Sequence, residues 1–173
     1  MTMHDGSILA YYAVTLQKKG EKVRYKLNEG TPDALVVHCA DPRFQEAFRA
    51  FLSEELDIHL PMVIALPGVT SHFGMQFLLP KNWNAMKSYI RTMTERHQVG
   101  RVVLINHDDC KGYAKLAVHF GGLTKVVDAQ RKHIHGLAEF IRKEFLPKAS
   151  MELYQAHIVW GLENREIEFE KIF

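Results

Sequence analysis

Cysteine is scarce in this sequence, with two among 173 residues, Cys39 and Cys110. So few thiols exclude a disulfide-dense secreted scaffold. In a reducing compartment they point to a metal or catalytic role ahead of a single staple. Long apolar runs are also missing. No stretch approaches the roughly 18 uncharged apolar residues of a membrane span. The first ten residues carry His4 and Asp5, and lack the basic-then-apolar order of a signal peptide. A cytoplasmic protein that does not enter membranes is therefore expected. Runs of five or six like charges are absent. The formal net charge of +2 is close to balance and gives no argument for nucleic acid as a partner. Internal repeats, low-complexity stretches and Pro/Ser-rich linkers are absent as well.

What is present is material for a core. A 47% hydrophobic and 24% charged composition suits one globular domain with a short extension. The extension covers residues 1–30, where two β-rich segments, 8–16 and 23–27, flank a polar turn containing Gly20 and predict a hairpin. Residues 31–173 form the single main domain. Its first apolar run, 34–39, lies between Pro32-Asp33 and Asp41-Pro42 and predicts a buried strand. Helical spacing follows over 43–56. A second strand is expected over 62–66, ending at Pro67-Gly68. Asn82 is expected to cap a helix over about 83–97. A third strand, 102–105, runs into Asn106-His107, and a long helix spans about 123–145. Strand 153–160 comes last, with 167–173 able to pair with it. Alternating helices and continuous apolar strands predict an α/β fold, with a mostly parallel central sheet covered by helices on both faces.

Ligands of such sheets bind beyond the carboxyl ends of the strands. Two of the best strands end in metal-ligand residues. One continues as Cys39, Ala40, Asp41, Pro42, Arg43, the other as His107, Asp108, Asp109, Cys110. Two thiolates and one imidazole, with the fourth position left to water, is a catalytic zinc pattern, whereas structural zinc sites are commonly closed by four protein ligands. Strand alternation points His38 away from Cys39. Asp41 could accept a hydrogen bond from a zinc-bound water or occupy the fourth position itself, and Arg43 could hold it ionised through a two-pronged pair. Each piece alone is ordinary: a cysteine at a strand end is usually a small buried hydrophobe. Their joint placement carries the reading. Asp108 and Asp109 read as turn or capping residues. His133 and His135 read as helical surface residues, and His59, His97, His119 and His157 lack partners at ligand spacing.

Cys-x-Asp-x-Arg followed later by His-x-x-Cys resembles the signature of the β-class carbonic anhydrases. The resemblance covers roughly residues 33–173 and includes a closing β hairpin at the C-terminus. It implies Zn2+ on Cys39, His107 and Cys110, a catalytic dyad of Asp41 and Arg43, and reversible hydration of CO2 to bicarbonate. It also implies a homodimer or a multiple of it. Near neutral pH, Asp41 is expected on Arg43, with water completing the zinc tetrahedron. Leu66, Val69 and Phe73 are candidate pocket residues, and His72 reads as a solvated loop histidine ahead of a proton relay. Two departures touch the pocket wall. The family usually carries Arg-Asn-Ala-Gly-Asn where this chain has Ala65, Leu66, Pro67, Gly68 and Val69. It usually has glycine after the second cysteine, where Lys111 stands here, followed by Gly112. The altered segment leaves two alternatives open. One is hydrolysis of a CO2-like substrate such as carbonyl sulfide or carbon disulfide. The other is a non-catalytic zinc-binding protein of assembly or regulation.

Overall fold

Two apolar runs, each halted by a proline-containing turn, become neighbouring parallel strands. The computed structural model describes residues 24–161 and 164–173. Strand β1 is Leu35–His38 and β2 is Met62–Ala65; they pair in parallel with Leu35 opposite Met62. On the other side of β1 lies β3, Arg101–His107, parallel and in register from Leu35 with Val102. Strand β4, Ser150–Trp160, continues the parallel set, and β5, Arg165–Lys171, folds back antiparallel on β4. The order is β2-β1-β3-β4-β5. The expected mostly parallel sheet and closing hairpin are thus both present.

Alternation along β1 assigns the two faces. Leu35 and Val37 join a core with Val102, Leu104, Met86, Ile90, Ile134 and Leu137. That face is covered by α2 (Val69–Gly74), α3 (Pro80–Arg96) and α5 (Val126–Glu144). Ala34 and Val36 face the other way, onto Phe44, Phe48 and Leu52. Here α1 (Gln45–Ala50) runs into a wider π-helical turn over Phe51–Glu55. Phe51 stacks on Phe169 of β5 with ring centroids 3.9 Å apart, so the hairpin closes this second core. His38 follows the second face, as alternation requires: its ring lies 4.7 Å from Phe48 and its Nδ1–H donates to the Cys39 carbonyl. One more short helix, α4 (Lys111–Ala114), follows Cys110.

Several local expectations need correction. Helix α3 begins at Pro80 with Leu79 at its N-cap, so Asn82 lies inside the first turn and does not cap. Proline suits that first position, because its ring sets a helical φ and its missing N–H would have had no partner. Segment 69–74 is helical, although its six residues are too few to show a period. Residues 24–28 carry no strand, and the first half of the expected hairpin, 8–16, lies outside the described residues. No helix among the described residues is long and apolar enough to cross a membrane.

Candidate metal centre

The carboxyl ends of β1 and β3 are adjacent in the sheet, so the turns that follow them open on one rim. There the ligand atoms of Cys39, His107 and Cys110 all lie within 4.8 Å of one another, and all three residues are buried. The two sulfurs are 3.9 Å apart. A tetrahedral ion with Zn–S bonds of about 2.3 Å would hold two sulfurs roughly 3.8 Å apart, so the spacing fits without rearrangement. The imidazole fits equally well. His107 Nδ1 donates to the Asp108 carbonyl at 2.7 Å, which fixes the proton on Nδ1 and leaves Nε2 with a free lone pair. That Nε2 is buried and has no hydrogen-bond partner. A buried acceptor without a partner costs about 1–3 kcal/mol, a penalty a bound cation would remove. The donor set of two thiols and one imidazole is one that zinc favours.

Electrostatics within the cluster favour a shared charge. The hydrogen bond from Cys110 lowers the Cys39 thiol, with His107 and the Gly68 N–H adding to it and burial opposing. The same bond, together with burial, raises Cys110. The thiols thus form a coupled pair in which the first thiolate resists formation of the second. Gly68 has a backbone conformation that favours glycine and faces the cluster. Its φ is +59°, and its N–H donates to Cys39 Sγ at 3.3 Å. A Cβ on Gly112 would come within 2.8 Å of the Gly68 backbone, so the two glycines allow the walls of the site to touch.

Beside the cluster, Asp41 and Arg43 form the expected two-pronged pair. Arg43 Nη2 donates to Asp41 Oδ2 at 2.7 Å and Nε to Oδ1 at 3.0 Å, and the Arg43 backbone N–H also reaches Oδ1. These bonds hold the Asp41 carboxyl at about 2, so it is a carboxylate at any ordinary pH. From the sequence Asp109 reads as a turn or capping residue. It adopts φ +53° and takes the remaining edge of the guanidinium, Arg43 Nη1 to Oδ2 at 2.9 Å. Arg43 is therefore gripped from both sides. Its repeat of Asp-x-Arg chemistry across the rim is invisible to spacing rules because the two residues come from different turns.

A cavity of about 300 Å³ opens at this rim, lined by Cys39, Asp41, Arg43, Pro67, Lys111 and Gly112. Leu66, Val69 and Phe73 do not line it; they pack against the first core, with Phe73 against Trp83 and Phe140. His72 is buried on α2, not solvated, and burial lowers its pKa. His133 is buried as well, because α2 crosses α5 so closely that a Cβ on Gly74 would meet the His133 ring at 2.0 Å. Its Nδ1–H donates to Tyr113 Oη, Tyr113 to Thr70 Oγ1, and Thr70 to Asn106 Oδ1. His157 also has partners, in the carboxylates of Asp108 and Glu170.

The sequence profile of the family described as "Putative carbonic anhydrase" matches residues 31–157. The chain belongs to this family. Membership bears out the family expectation drawn from the two motifs. No curated protein matches the chain. Among solved structures, it is similar to a β-carbonic anhydrase, isoform I, of the protozoan Trichomonas vaginalis. The identity is 13%, the alignment covers 96% of this chain and 97% of that one, and the TM-score is 0.47. It is also similar to tetrameric β-carbonic anhydrases of the filamentous ascomycete Sordaria macrospora, at 14% identity over 80% and 81% of the chains, with a TM-score of 0.45.

Proposed function

We propose that this member of a carbonic anhydrase family holds one zinc ion through Cys39, His107 and Cys110 and catalyses CO2 + H2O ⇌ HCO3⁻ + H⁺. The observation that carries the reading is the unpartnered, buried His107 Nε2 beside two thiols at zinc-compatible spacing. When bound there, zinc supplies the Lewis acidity that makes water a nucleophile near neutral pH.

The chain's own residues then supply orientation. Asp41, ionised and fixed by Arg43, accepts a hydrogen bond from the attacking water and so directs an oxygen lone pair at the carbon of CO2. Arg43 keeps the carboxylate aimed into the cavity and competes with any tendency of Asp41 to take the fourth ligand position. Arg43 is itself held by Asp109, which leaves the guanidinium little freedom to turn away. The rim cavity admits a molecule the size of CO2, and Lys111 at its edge suits departure of an anionic product. A homo-oligomer in the cytoplasm remains part of the proposal; sedimentation at micromolar concentration is expected to show a dimer or larger, and a monomer would contradict it.

The deciding experiment is a CO2 hydration assay across pH on zinc-quantified protein, run beside Asp41→Ala. Wild-type activity that falls to background in Asp41→Ala, at equal zinc content, supports the reading. A zinc-loaded wild-type chain without activity would remove CO2 hydration, and the same sample would then be assayed with carbonyl sulfide.

A further inference from the structure

His107 is aimed by a backbone carbonyl, and that carbonyl belongs to Asp108, whose side chain is unusually well held. Asp108 Oδ1 accepts from Gln155 Nε2 at 3.1 Å. Its Oδ2 accepts from His157 Nδ1 at 3.1 Å and from the Ile158 backbone N–H at 3.2 Å. The Asp108 N–H donates to the Ala156 carbonyl at 2.9 Å. His157 in turn places its Nε2 3.0 Å from Glu170 of β5, and Arg131 of α5 lies 3.6 Å from the same carboxylate. With a carboxylate at each ring nitrogen, the site favours the doubly protonated form of His157. Burial opposes this charge, but the bonds to Glu170 and Asp108 outweigh it and raise the His157 pKa.

We propose that Asp108 is a positioning residue for the metal ligand His107, and that it moors the ligand to the β4–β5 hairpin through Gln155, His157 and Glu170. The physical reason is the single rotatable backbone segment between them. The Asp108 carbonyl can hold the His107 Nδ1–H only if its peptide plane is fixed, and four hydrogen bonds to β4 fix it. A second bond, Gln130 Nε2 to the His107 carbonyl at 3.0 Å, pins the preceding peptide from α5. The orienting partner is thus a carbonyl whose own residue is clamped, where many metal-binding histidines use a carboxylate directly. The C-terminal hairpin thereby belongs to the metal site although none of its residues is a ligand. The inference rests on the zinc reading above.

The test uses the full chain and reads metal affinity and ligand field in place of turnover. Zinc affinity is measured by competition with a chromophoric chelator, and the visible spectrum of the cobalt-substituted protein reports the ligand geometry. Asp108→Ala is expected to bind zinc 10- to 100-fold more weakly, the range typical for lost outer partners of metal ligands, with an altered cobalt spectrum. Asp108→Asn keeps an acceptor for the Ile158 N–H and is expected to recover most of the affinity. Glu170→Gln, further along the chain of contacts, is expected to lose a few-fold and covers the case in which Asp108→Ala fails to fold. Wild-type affinity and an unchanged spectrum in both Asp108→Ala and Glu170→Gln would overturn the mooring role while leaving the zinc reading standing. A wild-type chain that takes up neither zinc nor cobalt would take both down.

Discussion

Strand β3 carries an arginine–carboxylate cluster near each end, and the two have opposite meanings. At the amino end, Arg101 pairs through Nε and Nη2 with Glu152 of β4 and gives Nη1 to the Leu56 carbonyl. Tyr154 and Lys171 complete that cluster. At the carboxyl end, Arg43 pairs with Asp41 and Asp109 beside two thiols and an imidazole whose Nε2 has no partner. The pairing chemistry is the same. The difference is what else the strand ends bring. Around Arg101 the neighbouring polar groups hold one another, so the pair ties strands and a loop together. Around Arg43 the carboxylate faces a cavity and an incomplete donor set, so the pair can hold a reactive geometry.

The sharpest way to break this comparison is to remove a ligand. Cys110→Ala is expected to lose zinc and CO2 hydration together, read by elemental analysis and stopped-flow assay; unchanged zinc content would remove Cys110 from the site. Next in size, Arg43→Ala is expected to retain zinc and lose activity by about 100-fold, the scale of a misplaced reacting group. Wild-type turnover in this variant would sink the dyad. Arg101→Ala should do the reverse. Loss of its charged hydrogen bonds, in a half-buried setting, should cost about 1–3 kcal/mol of stability by urea unfolding, with kcat per bound zinc unchanged.

The same cluster sets a pH effect. The hydrogen bond from Arg101 lowers the Glu152 pKa, outweighing burial. A carboxyl whose folded value lies below its unfolded value of about 4.3 stabilises fully above that value, and the contribution is lost as pH falls through the folded one. Glu152→Gln should therefore flatten the acid limb of the stability curve below about pH 4.3 and leave it unchanged in shape near pH 7. The smallest effect is expected for Asp109→Ala. Its ion pair is solvent-exposed, so stability should move by less than about 1 kcal/mol, while turnover drops a few-fold because Arg43 loses one grip. An unchanged rate would reduce Asp109 to a turn residue.

Much of the candidate site is legible in the sequence because its residues sit next to strong strand signals. Cys39 and His107 each follow a short apolar run bounded by turn residues, and the parallel rule puts the ends of such runs on one rim. The placement of His38 also follows from alternation alone. The pocket wall was not legible. Leu66, Val69 and Phe73 are apolar and near the site in sequence, yet Leu66 packs on the first core and α2 turns Val69 and Phe73 into it, and a six-residue helix leaves no period to read. His133 is buried, contrary to the surface position its spacing predicts, for a related reason. Its helix face is set by the close approach of Gly74 on another element, which local spacing does not encode.

The sequence by itself determined the candidate ligand residues, the Asp-x-Arg spacing and the alternation of strands and helices of a mostly parallel α/β sheet, because each depends on residues close in the chain and on a short-range period; the order of the strands in the sheet came from the packing. Only the tertiary structure decided how those groups are held. Asp109 reaches Arg43 across the rim, Gly68 and Gly112 bring two walls into contact, and Asp108 fastens His107 to the β4–β5 hairpin. These are contacts between segments distant in the chain, so their partners are chosen by how the helices and strands pack and not by any local pattern.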